Sequence, residues 1–231
     1  MITSSIRTTI KTLSSVALAM ALVGGCADDA ATDGDTDHEH DDHGHDHDHE
    51  ETEIITTVIL DFTPQGGGDS IQVRFDDPDG DGGVSGTADP LVLTAGTTYD
   101  LSVGFSNGLV DPPEDIGEEV AEEAEEHQLF VTGTGVSGPA AGDDPGALVV
   151  HAYADVESDY GPNEGDDLPV GLTNTITAAM AGAGTFEVRL QHLPELNGAA
   201  QKTAGLAESL AAGEALPGDV DAAVTFELTV Q

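Results

Sequence analysis

From residue 54 onward the chain alternates between apolar and polar positions. In IITTVILDF, Ile54, Thr56, Val58, Leu60 and Phe62 fall on one face. In SIQVRF, Ile71, Val73 and Phe75 alternate with Gln72 and Arg74. TTYDLSVGF sets Tyr99, Leu101, Val103 and Phe105 together, and LVVHAYA, TFEVRLQH and AVTFELTV repeat the theme. Successive side chains of a strand point to opposite faces, so this period predicts strands with one buried face. LVL at 91–93, HQLFV at 127–131 and LTNTITA at 172–178 are shorter candidates. Glycine- and aspartate-rich turns separate most of these runs. Seven to nine strands over 54–231 predict an all-β fold, an immunoglobulin-like antiparallel β-sandwich with long loops.

Two segments depart from that period. DIGEEVAEEAEEH, 115–127, opens with Asp115 and has Glu118 three residues on, the spacing of a capping box, and predicts one short acidic helix. NGAAQKTAGLAESLAAG, 197–213, is a possible second helix, weakened by Gly205 and ended by Gly213.

The first 53 residues have a different character. MITSSIRTTIK carries Arg7 and Lys11, and the apolar run SVALAMALVGG stops at Cys26. That run is too short to cross a bilayer and fits a secretory signal peptide. Residues 27–53 hold no sustained apolar pattern and read as a disordered tether. The expected organisation is a signal peptide at 1–25, an acylated cysteine and His/Asp-rich tether at 26–53, and a β-sandwich at 54–231.

Val23, Gly24, Gly25 and Cys26 resemble the lipobox of bacterial lipoproteins, and Cys26 is the only cysteine in the chain. The resemblance implies that Cys26 becomes the acylated first residue of the mature protein and anchors it to a lipid bilayer. Ala27 rather than aspartate follows the cysteine, which favours the outer over the inner membrane of the cell envelope. The remainder resembles a family of small bacterial envelope lipoproteins without an assigned activity. The resemblance rests on TTVILDFTP, DPDGDGG, the EEVAEEAEEHQ stretch, VGLTNT and the terminal VTFELTV, and spans 51–231.

Charge narrows the range of partners. Without its leader the chain keeps Arg74, Arg189 and Lys202 against 45 acidic residues, a net charge of 3 − 45 = −42 with neutral histidines. Such a surface repels nucleic acid and attracts cations.

Three stretches could hold those cations. HEHDDHGHDHDHE, 38–50, supplies His38, His40, His43, His45, His47 and His49 among aspartates and glutamates. Imidazole suits zinc, copper and nickel. The tract resembles those of bacterial zinc-uptake proteins and metallochaperones. In DDPDGDGG, Asp77, Asp79 and Asp81 occupy positions 1, 3 and 5 of a calcium loop and Gly82 position 6, but Ala88 stands where the loop needs its glutamate. In the acidic helix, Glu119, Glu123 and His127 fall four apart, one face of a transition-metal site if the helix reaches that far. His151 and His192 read as structural histidines, His192 at the core edge in phase with Phe186, Val188 and Leu190. No nucleophile elbow, phosphate loop, H-E-x-x-H or dinucleotide fingerprint is present.

The expected function is therefore a non-enzymatic, membrane-anchored protein that binds metal, zinc first and calcium second. It would buffer ions in the envelope or deliver them to a membrane transporter or receptor. The alternative is an adhesion or envelope-scaffold sandwich in which the tail is only a spacer.

Overall fold

The computed structural model describes residues 53–80, 85–163 and 165–231. Cys26 and the six tail histidines lie outside the described residues. The strands, in chain order, are β1 (Thr57–Pro64), β2 (Ile71–Asp76), β3 (Thr87–Ala88), β4 (Leu91–Leu93), β5 (Thr98–Asn107), β6 (Glu114–Asp115), β7 (His127–Thr132), β8 (Val136–Ser137), β9 (Val149–Tyr153), β10 (Thr173–Ala178), β11 (Gly182–His192) and β12 (Asp219–Val230). Two short helices interrupt them, α1 (Ile116–Glu122) and α2 (Leu206–Ala211).

The strands form two sheets, so the fold is an all-β sandwich. The larger runs β3-β2-β1-β5-β10-β9-β8, with β6 added to β5, and the smaller runs β4-β12-β11-β7. Pairing is antiparallel except for β12 with β4 and β8 with β9, which are parallel. Each of the nine apolar runs read from the sequence holds a strand, but β1 begins only at Thr57, and Ile54, expected on its inner face, precedes it and is exposed while Ile55 is buried. β3, β6 and β8 are two-residue pairings too short to carry a period.

The inner faces meet in one core. Val58, Leu60 and Phe62 of β1 and Tyr99 and Leu101 of β5 oppose Phe186 and Val188 of β11 and Phe226 and Leu228 of β12. Phe62 touches Tyr99 and Phe186 edge-on at centroid distances of 6.2 and 5.8 Å. The outer face of β7 is also covered. Phe130 packs there with Leu193, Leu206 and Ala207, which explains why α2 exists as a short lid rather than a free excursion.

Both helices are shorter than their sequence patterns. Asp115 caps α1 by accepting from the Gly117 N–H, and Ile116 and Val120 anchor it. Beyond Glu122 only Ala124 is buried, so there is no apolar stripe to carry the helix on to His127. α2 starts after Gly205, which adopts φ 91°.

Candidate metal centre

The site grows from the register of two strands. β7 and β11 pair so that His127 lies directly opposite His192. His127 is in phase with Leu129 and Val131, and His192 with Leu190, so both rings sit at the end of the inner face of the smaller sheet. Side chains opposite each other on neighbouring strands touch. The two imidazoles stack at a centroid distance of 4.7 Å with 6° between their planes. His127 is fully buried and His192 nearly so.

The turn between α1 and β7 closes one side. The Glu126 N–H donates to the Glu123 carbonyl at 2.8 Å, and the Leu193 N–H donates to the Glu126 carbonyl at 2.6 Å. Lys202 reaches in from the segment before α2, its Nζ donating to the Ala124 carbonyl at 2.6 Å and pairing with Glu157 at 2.7 Å. This turn brings the Glu123 carboxylate to 4.0 Å from His127 Nδ1. Ligand-type atoms of Glu123, His127 and His192 all lie within 4.8 Å of one another. The Glu126 carboxylate stands 3.9 Å from His192 Nε2.

A β-bulge supplies the fifth group. Leu190 pairs with Ala222, but Gln191 pairs with Val220, so Asp221 is the extra residue on β12. Strict alternation would bury Val220 and expose Asp221. The bulge reverses this, leaving Val220 41% exposed and Asp221 buried. Asp221 Oδ2 thereby lies 3.6 Å from His127 Nε2. Gly218, at φ 71°, lets β12 enter here, because a Cβ at that position would collide with the His192 carbonyl.

The electrostatics of the centre are unusual for a core. Burial first, and the neighbouring His192 second, lower the pKa of His127 to about 4. Burial raises Asp221 to about 7, opposed only in part by the Glu53 main-chain N–H. Burial, then Glu119, Asp221 and Glu123, raise Glu53 to about 7 as well. Five buried atoms here have no hydrogen-bond partner of good geometry among the described residues: Glu126 Oε2, His127 Nε2, His192 Nε2 and both Asp221 oxygens. Buried polar groups are ordinarily paired, and an unpaired one costs about 1–3 kcal/mol. The donor set, two imidazoles and a carboxylate with further carboxylates behind them, suits a divalent transition ion of the zinc type.

Of the residues read from sequence, Glu123 and His127 come together, but not on one helical face. α1 ends at Glu122, and the turn rather than the helix joins them. Glu119, half-buried on α1, is not one of the three; His192 takes that place. In the acidic turn, the Ser85 hydroxyl donates to Asp77 at 3.3 Å and to Asp79 at 2.9 Å, and Gly80 adopts φ 65°. Asp81 lies outside the described residues. His151 is buried and apart from the centre, its Nε2 2.9 Å from Asn174 Oδ1. Asn174 donates its amide to the Gly171 carbonyl, so its oxygen accepts from His151.

Comparison with known protein families, characterised proteins and solved structures finds no match. Fold and site therefore define the class: an all-β, two-sheet sandwich with a candidate metal-binding group of Glu123, His127 and His192 at one end. No helix among the described residues is long and apolar enough to cross a membrane.

Proposed function

We propose that the protein is a non-enzymatic, lipid-anchored metal-binding protein of the bacterial envelope, with zinc as its ion. It holds the ion at Glu123, His127 and His192 and gathers further ions on the histidines of its tail. Cys26 supplies the anchor, and a membrane transporter or receptor takes the ion onward. The observation that carries this reading is the meeting of three ligand-type side chains within 4.8 Å, two of them buried histidines. Neither a structural sandwich nor a spacer needs stacked histidines in its core.

The surroundings of the centre are acidic. The Glu53 carboxyl feels Glu119, Asp221 and Glu123. The absence of further cysteines from the chain favours zinc, cobalt or nickel over the softer copper(I). The test is zinc calorimetry on the full chain and on His127→Ala and His192→Ala variants, with the six tail histidines replaced by asparagine throughout. One zinc per chain in the parent, lost in both variants, is expected. Equal binding by all three would place the ion elsewhere than this cluster, and no binding by any of them would leave the body without a metal role and favour the scaffold reading.

A further inference from the structure

We infer that Asp221 is the positioning residue of this centre, the outer carboxylate that holds His127 in the orientation needed to bind the ion through Nδ1. The inference rests on the metal-binding reading above. Three separate observations converge on it. The two nitrogens of His127 face different groups. Nδ1 looks toward Glu123, with the carbonyl at 3.3 Å and the carboxylate at 4.0 Å. Nε2 looks toward Asp221 at 3.6 Å. The second observation is the bulge, which turns inward a carboxylate that plain alternation would leave in water. A bulge re-aims a side chain, and it does so here at a residue that backs His127. The third is that both Asp221 oxygens are buried without a partner of good geometry. A carboxylate retained for the fold alone would be satisfied.

The chemistry of imidazole joins these facts. A ring bound through one nitrogen carries its hydrogen on the other, and a carboxylate accepting that hydrogen fixes both tautomer and ring orientation. In the metal-free protein the Glu123 carbonyl can only accept, so Nδ1 carries the hydrogen. An ion on Nδ1 sends it to Nε2, which faces Asp221 Oδ2 at 3.6 Å, so that an approach of under about 1 Å completes the hydrogen bond. Glu123 and Asp221 thus divide the ring between them, Glu123 on the ion's side and Asp221 on the supporting side.

The experiment uses the full chain with the six tail histidines replaced by asparagine, and compares it with Asp221→Asn in that background. Zinc affinity is read by competition with a chromophoric chelator, and metal-free stability by a thermal melt with chelator. Asp221→Asn is expected to weaken zinc about 10–100-fold. Its metal-free melting temperature should stay level or rise, because a buried unpaired carboxylate has been removed. These opposite signs separate positioning from a structural role. Zinc affinity within twofold of the parent would overturn the inference, as would a parallel loss of affinity and metal-free stability. Should the variant not fold, nitrogen-15 spectra of the zinc-loaded parent decide: a protonated His127 Nε2 is expected, and zinc on Nε2 overturns it. A parent that binds no zinc would instead sink the metal-binding reading itself.

Discussion

Asp155 and Asp221 are both buried aspartates in the same sandwich, and their surroundings are opposites. Asp155 accepts from the Gly171 N–H at 2.7 Å, the Thr173 N–H at 2.8 Å and the Tyr160 hydroxyl at 2.7 Å. Next to it, Glu157 accepts from Lys202, Asn163 and the Leu168 N–H. Asp221 has only the Glu53 main-chain N–H near it and no partner of good geometry among the described residues, and the histidines beside it each leave a nitrogen unpaired. The first cluster has the form of a structural network, in which every charge is matched by donors that fix loops in place. The second keeps five polar atoms buried without a partner of good geometry, a state that an added proton or cation relieves. Sites that bind ions are often less stable than they could be when empty, and this contrast locates where that cost lies.

Breaking the satisfied cluster should have the largest effect. Asp155→Ala leaves the buried Gly171 N–H, the Thr173 N–H and the Tyr160 hydroxyl without their acceptor, and should cost about 3–6 kcal/mol in denaturant melts, at about 1–2 kcal/mol per group because two of the three are only partly buried. Lys202→Met should cost a similar amount, because it strands the Glu157 carboxylate in the interior. A loss below about 1 kcal/mol for Asp155→Ala would erase the distinction between the two regions.

A ligand that binds the folded state should stabilise only the unsatisfied one. At a hundredfold excess over its dissociation constant, zinc adds about 2.7 kcal/mol. The rise in melting temperature should vanish in His192→Ala and persist in a variant of the exposed Arg74–Asp76 pair, such as Arg74→Ala. A rise that survives His192→Ala would move the ion elsewhere.

The pH dependence of the metal-free protein sharpens the comparison further. Asp221 and Glu53 have folded-state values near 7, above their ordinary 3.8 and 4.5. The stability they contribute is complete below those ordinary values and is lost as pH rises through 7. His127, lowered from 6.5 to about 4, acts in the other direction. Its contribution is complete above 6.5 and is lost as pH falls from there toward 4. Burial lowers His151 too, with the same sign. The two sets oppose each other at acid pH, but between pH 6.5 and 8 the carboxylates dominate. The metal-free melting temperature should therefore fall across that window, and Asp221→Asn should flatten the fall. A melting temperature that climbs through it would contradict these assignments.

Much of this architecture is legible in the sequence, and the illegible parts have identifiable causes. Period two gives away a strand with one wet face, and every such run longer than two residues holds a strand. His192 is readable as a core-edge residue from its phase with Leu190. What a single sequence does not carry is the pairing of distant strands, so nothing in it sets His192 opposite His127. Asp221 is hidden more deeply, because alternation along DVDAAVTFELTV points it outward and the bulge between Leu190 and Gln191 overrides that. The Glu123–His127 spacing of four would share a helical face only if the helix reached His127, and α1 ends at Glu122. The two side chains do approach, across a turn that starts where the apolar stripe of α1 runs out.

The smallest expected effect belongs to the segment with the most histidines. His38, His40, His43, His45, His47 and His49 make six of the nine in the chain, and should account for most of its zinc capacity. Capacity and stabilisation are different quantities. An ion raises the melting temperature only by binding the folded chain better than the unfolded one. The stretch 27–53 has no sustained apolar pattern on which to build a folded site, so its imidazoles should offer an ion nearly the same partners in either state. Glu123, His127 and His192 are brought together by strand pairing and disperse when it is lost. Replacing all six tail histidines by asparagine should thus remove most of the zinc bound at saturation and leave the zinc-dependent rise in melting temperature within about 1 °C of the parent, since ~1 kcal/mol moves a domain of this size by only ~2–4 °C. Calorimetric stoichiometry and a zinc melt on the same two proteins check both halves. A rise that shrinks along with the stoichiometry would mean that the tail contributes ligands to the folded centre, and the two regions would then be one site.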